Sequence, residues 1–163
     1  MNAIENRSHK VYLGLGSNIS PEINIPRALD LLQEHVSLDA LSSIWETPPV
    51  GSDGPNFLNA VALISTPMPA DELRTAVLRK IEAQLGRIRT GDHNAPRTID
   101  LDILIHAGQV LDENIWSQAH LALPLSELLP GLHQPGTGQS ILQIAQVLAR
   151  STSMRKRLLE VDK

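Results

Sequence analysis

The chain has no cysteine, only four aromatic residues besides histidine, no surplus of positive charge and no long apolar run. Without cysteine there is no disulfide framework, no thiolate nucleophile and no Cys-based zinc site. Proteins that read single-stranded nucleic acid stack bases on sheet aromatics. Tyr12, Trp45, Phe57 and Trp116 are too few for that. A net charge of -4 and a pI near 5.8 argue against a nucleic-acid or anionic-membrane partner. No stretch reaches membrane length, and Met1 to Lys10 is polar rather than charged and then hydrophobic, so the expected placement is the cytoplasm. With 163 residues, 42% of them hydrophobic, the chain suits a single domain spanning 1–163, with 1–9 a flexible N-terminal tail. No segment calls for an obligate protein partner.

What is present centres on the run from Pro96 to His106. Ile99, Leu101, Ile103 and Ile105 alternate with Asp100, Asp102, Leu104 and His106, the period of a strand with one face on the core. Asp100 and Asp102 then share the opposite face, about 7 Å apart, and repel one another unless a cation lies between them. Mg²⁺ takes one or two protein carboxylates and completes its shell with water and phosphate oxygens. Two solvated carboxylates on an open sheet face are the plainer alternative. Arg87, Arg89 and Arg97 crowd the preceding segment, and a guanidinium fork matches phosphate. A carboxylate pair beside that cluster points to a polyphosphate site.

Upstream, Val11 to Gly16 reads as a buried strand entering a loop at Ser17-Asn18. Ile19 stands where a dinucleotide fingerprint needs its third glycine, so Gly14 and Gly16 are read as points of close backbone approach. A helix is expected over 24–35, capped by Asn24 with Pro26 in its first turn, then a strand over 36–45 stopped by Pro48-Pro49. Phe57 to Ile64 forms the third strand, with Phe57 and Asn59 on one face. There Asn59 either reads the edge of a heterocycle or bonds nearby backbone, and Phe57 is either a stacking surface or core. Leu73, Ala76, Val77, Ile81 and Leu85 mark a second helix with Glu82 in its last turns. The segment 89–96 is a lid-like loop. After the D-x-D strand, Ala107-Gly108 turns the chain and Val110-Leu111 pairs back. A short helix is expected over 124–130 and a closing helix on Ile141, Leu142, Ile144, Ala145 and Leu148. Arg155-Lys156-Arg157 reads as a solvated face. The order gives an α+β class: a ferredoxin-like βαββαβ core, a mainly antiparallel sheet, helices on one face and a C-terminal helical extension.

These residues, in this order, resemble the 6-hydroxymethyl-7,8-dihydropterin pyrophosphokinase family. The shared segments are Gly14-Leu15-Gly16-Ser17-Asn18, Thr47-Pro48-Pro49-Val50-Gly51, Phe57-Leu58-Asn59-Ala60, Glu82 with Gly86-Arg87-Ile88-Arg89, and Pro96-Arg97-Thr98-Ile99-Asp100-Leu101-Asp102-Ile103. The last of them is the most specific.

The resemblance implies pyrophosphoryl transfer from ATP to the hydroxymethyl group of a reduced pterin, with release of AMP, in folate biosynthesis. It implies two Mg²⁺ ions on Asp100 and Asp102, and Arg87, Arg97 and Arg89 on the phosphates. Glu82, Ile103, Ser117 and His120 match positions near the nucleotide. Thr47, Pro48, Val50, Phe57, Asn59 and Asp100 match positions around the pterin. Two departures stand out. Asn94 replaces a lid aromatic, and Ala119-His120 runs straight into Leu121-Ala122-Leu123-Pro124, so the family's Arg-x-Phe segment has no counterpart. Trp116 is the candidate replacement for that aromatic. A paralogue that binds Mg-ATP but uses another acceptor, and a non-catalytic regulatory module, are the alternatives.

Overall fold

The structure, a computed structural model, describes residues 7–49, 53–92 and 94–159. Strand β1 (His9–Ser17) runs down the middle of a sheet. It pairs antiparallel with β4 (Phe57–Thr66) on one side and β5 (Asp100–His106) on the other. Beyond β5 lies β6 (Gln109–Val110), and beyond β4 lie β2 (Ser37–Leu41), β3 (Ile44–Thr47) and finally β7 (Arg155–Arg157). Among the described residues no helix is long and apolar enough to cross a membrane.

The two core helices cover one face. Helix α1 (Pro21–Gln33) buries Ile25, Ala28, Leu29 and Leu32 against Val11, Leu13 and Leu15. Helix α2 spans 70–84 as α-helical Ala70–Leu73, a π-helical turn Arg74–Leu78 and α-helical Arg79–Gln84. Its apolar row Leu73, Val77, Ile81 and Leu85 recurs every fourth residue and in a regular helix would drift round the axis by about 40° per step. The wider π turn takes up that drift, and all four side chains are buried.

The C-terminal extension covers part of the other face. Helix α3 (Ala119–Leu128) and helix α4 (Ile141–Ala149) pack Ala122, Leu125, Ile141 and Ile144 on Val61, Leu104 and Ile105. The uncovered part of that face holds Gly14, Gly16, Asn59, Asp100 and Asp102. Helix α4 starts with a reciprocal cap, Ser140 accepting from the Gln143 backbone N–H while the Gln143 side chain accepts from the Ser140 N–H.

Several elements depart from the sequence expectation. His9 belongs to β1 rather than to a tail, and residues 1–6 lie outside the described residues. Helix α1 begins at Pro21, with Ser20 as its cap, so Asn24 is inside the helix and donates to the Ile19 carbonyl at 2.6 Å, while Pro26 is interior. The strand expected over 36–45 is two strands. Ser42 Oγ accepts from the Val61 N–H at 2.8 Å, replacing a ladder partner and kinking the chain between β2 and β3.

A bulge in β5 pairs Leu13 with Ile103 but Tyr12 with Ile105, so Ile105 turns away from the first core and joins Leu104 in the second. The helix expected over 124–130 starts at Ala119 with Pro124 inside it. Arg155-Lys156-Arg157 keeps Arg155 and Lys156 in solvent, as expected, and is in addition an edge strand. It satisfies the open backbone of β3, while Glu46 pairs with Arg155 at 2.5 Å and Arg157 at 3.2 Å. The hairpin turn at Ala107 and Gly108 is as expected, both residues adopting the positive φ that a two-residue turn requires.

Candidate active site

The sheet register builds the site. Asp100 lies opposite Gly16, which lies opposite Asn59 on its other side, and Asp102 lies opposite Gly14. Neighbouring strands are about 4.8 Å apart, so Asp100 and Asn59 stand about 10 Å from each other across a floor that has no side chain. That floor must stay bare. A methyl on Gly16 would lie 3.0 Å from Asn59 Oδ1. The result is a cleft of about 190 Å³ lined by Thr47, Pro48, Phe57, Asn59, Asn94, Arg97, Asp100, Asp102, His120 and Leu121 around the glycine floor.

At one end of the cleft, Asn59 is buried and donates through Nδ2 to Thr47 Oγ1 at 2.8 Å. That bond fixes the amide in its plane with Oδ1 toward Gly16. Phe57 is half-buried on the same face, and the Arg97 guanidinium lies 5.8 Å from its ring centre. Val50 lies outside the described residues.

At the charged end, Asp100 is held by two arginines: Arg97 Nη1 at 3.1 Å and Arg87 Nη2 at 3.6 Å. The Asp102 carboxyl is pushed up to about 6, first by desolvation and then by the carboxylates of Asp100, Glu82 and Asp112, although the residue itself is exposed to solvent. The His120 imidazole is shifted the other way for a basic group. Burial lowers its pKa against the pull of Asp112 and Asp100, leaving the ring neutral near pH 7.

The segment before β5 is anchored from β1. Arg97 N–H donates to Asn18 Oδ1 at 2.7 Å, and the Asn18 and Ile19 N–H groups both donate to the Arg97 carbonyl. This is the structural use of Ser17-Asn18, which the sequence showed only as a loop entry. Glu82 is 2% exposed and its oxygens are taken by the protein: Oε1 accepts from Arg79 and Arg89 at 2.8 and 2.7 Å, Oε2 from the Leu101 N–H at 2.9 Å. It therefore positions arginines and β5 rather than facing the cleft.

Arg87, Arg89 and Arg97 line a second hollow of about 230 Å³ with Thr90, Asp92 and Pro96. Arg97 belongs to both hollows. A ring and two carboxylates sit on one side of it, a basic pocket on the other.

Besides Glu82, three expected positions do not reach the cleft with their side chains. Ile103 packs in the first core, so only its backbone is near the site. Ser117 ends the turn Glu113–Trp116 and is exposed. Trp116 is buried in the second core, so it does not replace a stacking wall. Leu121 lines the cleft without any periodic signal to mark it in advance.

A hard-oxygen pair, a basic pocket and an aromatic side chain beside a glycine floor lie together on a ferredoxin-like sheet, an arrangement suited to phosphoryl-type transfer. The chain belongs to the 7,8-dihydro-6-hydroxymethylpterin-pyrophosphokinase family, whose model matches residues 12–130. It is 36% identical over 138 residues to the Pseudomonas aeruginosa 2-amino-4-hydroxy-6-hydroxymethyldihydropteridine pyrophosphokinase, covering 77% of this chain and 84% of that protein. It is 32% identical over 135 residues to the Aquifex aeolicus protein of the same name, covering 77% and 83%. Among solved structures, the wild-type Plasmodium falciparum HPPK-DHPS superposes with a TM-score of 0.68 at 12% identity. The match covers 88% of this chain and 46% of that longer one, and supports the shared fold.

Proposed function

We propose that this cleft transfers the pyrophosphoryl group of ATP to the hydroxymethyl oxygen of 6-hydroxymethyl-7,8-dihydropterin, releasing AMP, as a cytoplasmic step of folate biosynthesis. The observation that carries the reading is the cross-strand row Asp100, Gly16, Asn59. It puts a carboxylate pair one flat-ring length from an amide that can read a heterocycle edge.

Mg²⁺ fits the residues present. Asp100 and Asp102 offer hard oxygen donors, and the desolvation and neighbouring carboxylates that raise the Asp102 pKa are what a bound cation would offset. Mg²⁺ held by Asp100 and Asp102 would supply positive charge against the phosphates. Phe57 would stack on the pterin, and Asn59, pinned by Thr47, would present its Oδ1 to the ring's N–H edge. Arg97, already between the two hollows, would spread its guanidinium on the transferring phosphates, with Arg87 and Arg89 on the far side. Glu82 would hold Arg89 at the rim and His120 would remain a neutral wall group. Positioning and charge stabilisation account for most of such a transfer.

The test is AMP, measured by chromatography after incubation with Mg-ATP, with and without the pterin. Pterin-dependent AMP from the native protein, reduced at least 10³-fold (an order-of-magnitude expectation) in a folded Asp102→Ala variant, supports the reading. Near-full turnover by that variant contradicts the metal-site assignment. Mg-ATP binding with no AMP would mean another acceptor.

A further inference from the structure

Two side chains stand over the glycine floor. A methyl built on Gly14 would touch Leu121 Cδ2 at 3.4 Å, and one built on Gly16 would lie 4.0 Å from Phe57 Cδ1. Gly14 and Gly16 are two residues apart on β1, a separation of about 7 Å. Leu121 and Phe57 therefore stand over neighbouring points of that floor, and both line the same cleft. One wall is aromatic and the other is a branched aliphatic side chain.

The aliphatic wall is also held in place. Leu121 is in the first turn of α3, and near the other end of that helix Glu127 accepts from the Ser43 N–H at 2.9 Å and from Trp45 Nε1 at 2.7 Å. Those bonds tie α3 to β3, the strand that carries Thr47. Ala122 and Leu125 anchor the helix underneath.

We propose that Leu121 is the second wall of the ring slot and a specificity-determining residue: a non-aromatic wall that withholds from a fully aromatic ring the stacking advantage an aromatic side chain there would give it over a ring with one saturated carbon. This rests on the ring-binding reading of the cleft. A planar heteroaromatic gains from stacking on aromatic faces. Against leucine it has only dispersion contact, which a ring with an sp³ carbon shares equally, so the slot gives the oxidised ring no advantage on that side.

The experiment compares binding of 6-hydroxymethylpterin and its 7,8-dihydro form, by titration with Mg²⁺ and a methylene-bridged ATP analogue. Native protein is set beside Leu121→Ala, Leu121→Met, Leu121→Phe and Phe57→Ala. Leu121→Ala should weaken both pterins on the order of tenfold with affinity for the ATP analogue unchanged, and the volume-conserving Leu121→Met should restore binding. Leu121→Phe should shift the preference severalfold toward the oxidised ring. If Leu121→Ala leaves pterin affinity within twofold while Phe57→Ala weakens it, or if Leu121→Phe leaves the preference unchanged, Leu121 is not the selecting wall and the proposal fails. If neither Phe57→Ala nor Leu121→Ala affects pterin binding, the ring-binding reading of the cleft fails instead.

Discussion

At the scale of single residues, Asp102, the proposed metal carboxylate, is where function would oppose stability. Its pKa is raised on folding, so the ionised carboxylate is disfavoured in the folded protein. The cost is fully present above about pH 6 and disappears as pH falls toward the unfolded value near 4. Asp102→Asn should therefore abolish transfer and raise the metal-free thermal midpoint at pH 8. The expected gain is on the order of 1 kcal/mol after solvent screening, or roughly 2–4 °C. Melting curves from pH 8 to pH 4 should show that gain shrinking as acid is added. Gly16→Ala places a methyl 3.0 Å from Asn59 Oδ1 and should displace the amide. Its pterin KM should rise on the order of tenfold with the ATP KM unchanged, which steady-state kinetics with each substrate varied would reveal.

The Asp pair and the arginine cluster could be read from the sequence because strand periodicity puts Asp100 and Asp102 on one face whatever the rest of the fold does. Leu121 could not. Its role depends on where α3 lands on the sheet, and a leucine in a helical run looks like any core residue. For Asn59 the sequence allows both a site group and a bonded amide. In the structure it is engaged with Thr47 and faces the cleft.

At the scale of elements, the irregular pieces do most to position the site. The π turn in α2 keeps the apolar row buried while delivering Glu82 to the Arg79, Arg89 and Leu101 donors. Glu82→Gln should keep the fold but lose the charge that holds Arg89, lowering kcat more than it raises the pterin KM. The edge strand β7 supports β3, which ends at Thr47 in the cleft. Replacing Arg155 and Arg157 together with Ala leaves Glu46 without these partners, and should lower the thermal midpoint by roughly 2–4 °C, since such pairs contribute at most about 1 kcal/mol each. None of these features has a local signature. A bulge such as that at Leu104, or a basic triplet becoming an edge strand, is decided by partners far away in the chain, while βαββαβ order is written in periodicities of 2 and 3.6.

At the scale of the molecule, one sheet serves two purposes. Its first face, under α1 and α2, is wholly core. Its second is half core, under α3 and α4, and half cleft, with the boundary drawn by His120 and Leu121. The stiffness of the packed half fixes the geometry of the open half. Beside it, the 87–97 segment brings the arginines up to the carboxylates. The central proposal is pyrophosphoryl transfer at that junction. Phosphorus NMR of the products, with AMP quantified in the same tube, tests it most directly. The account predicts a pterin carrying two phosphorus atoms in one-to-one ratio with AMP. ADP with a singly phosphorylated pterin, or AMP formed equally without the pterin, would contradict it.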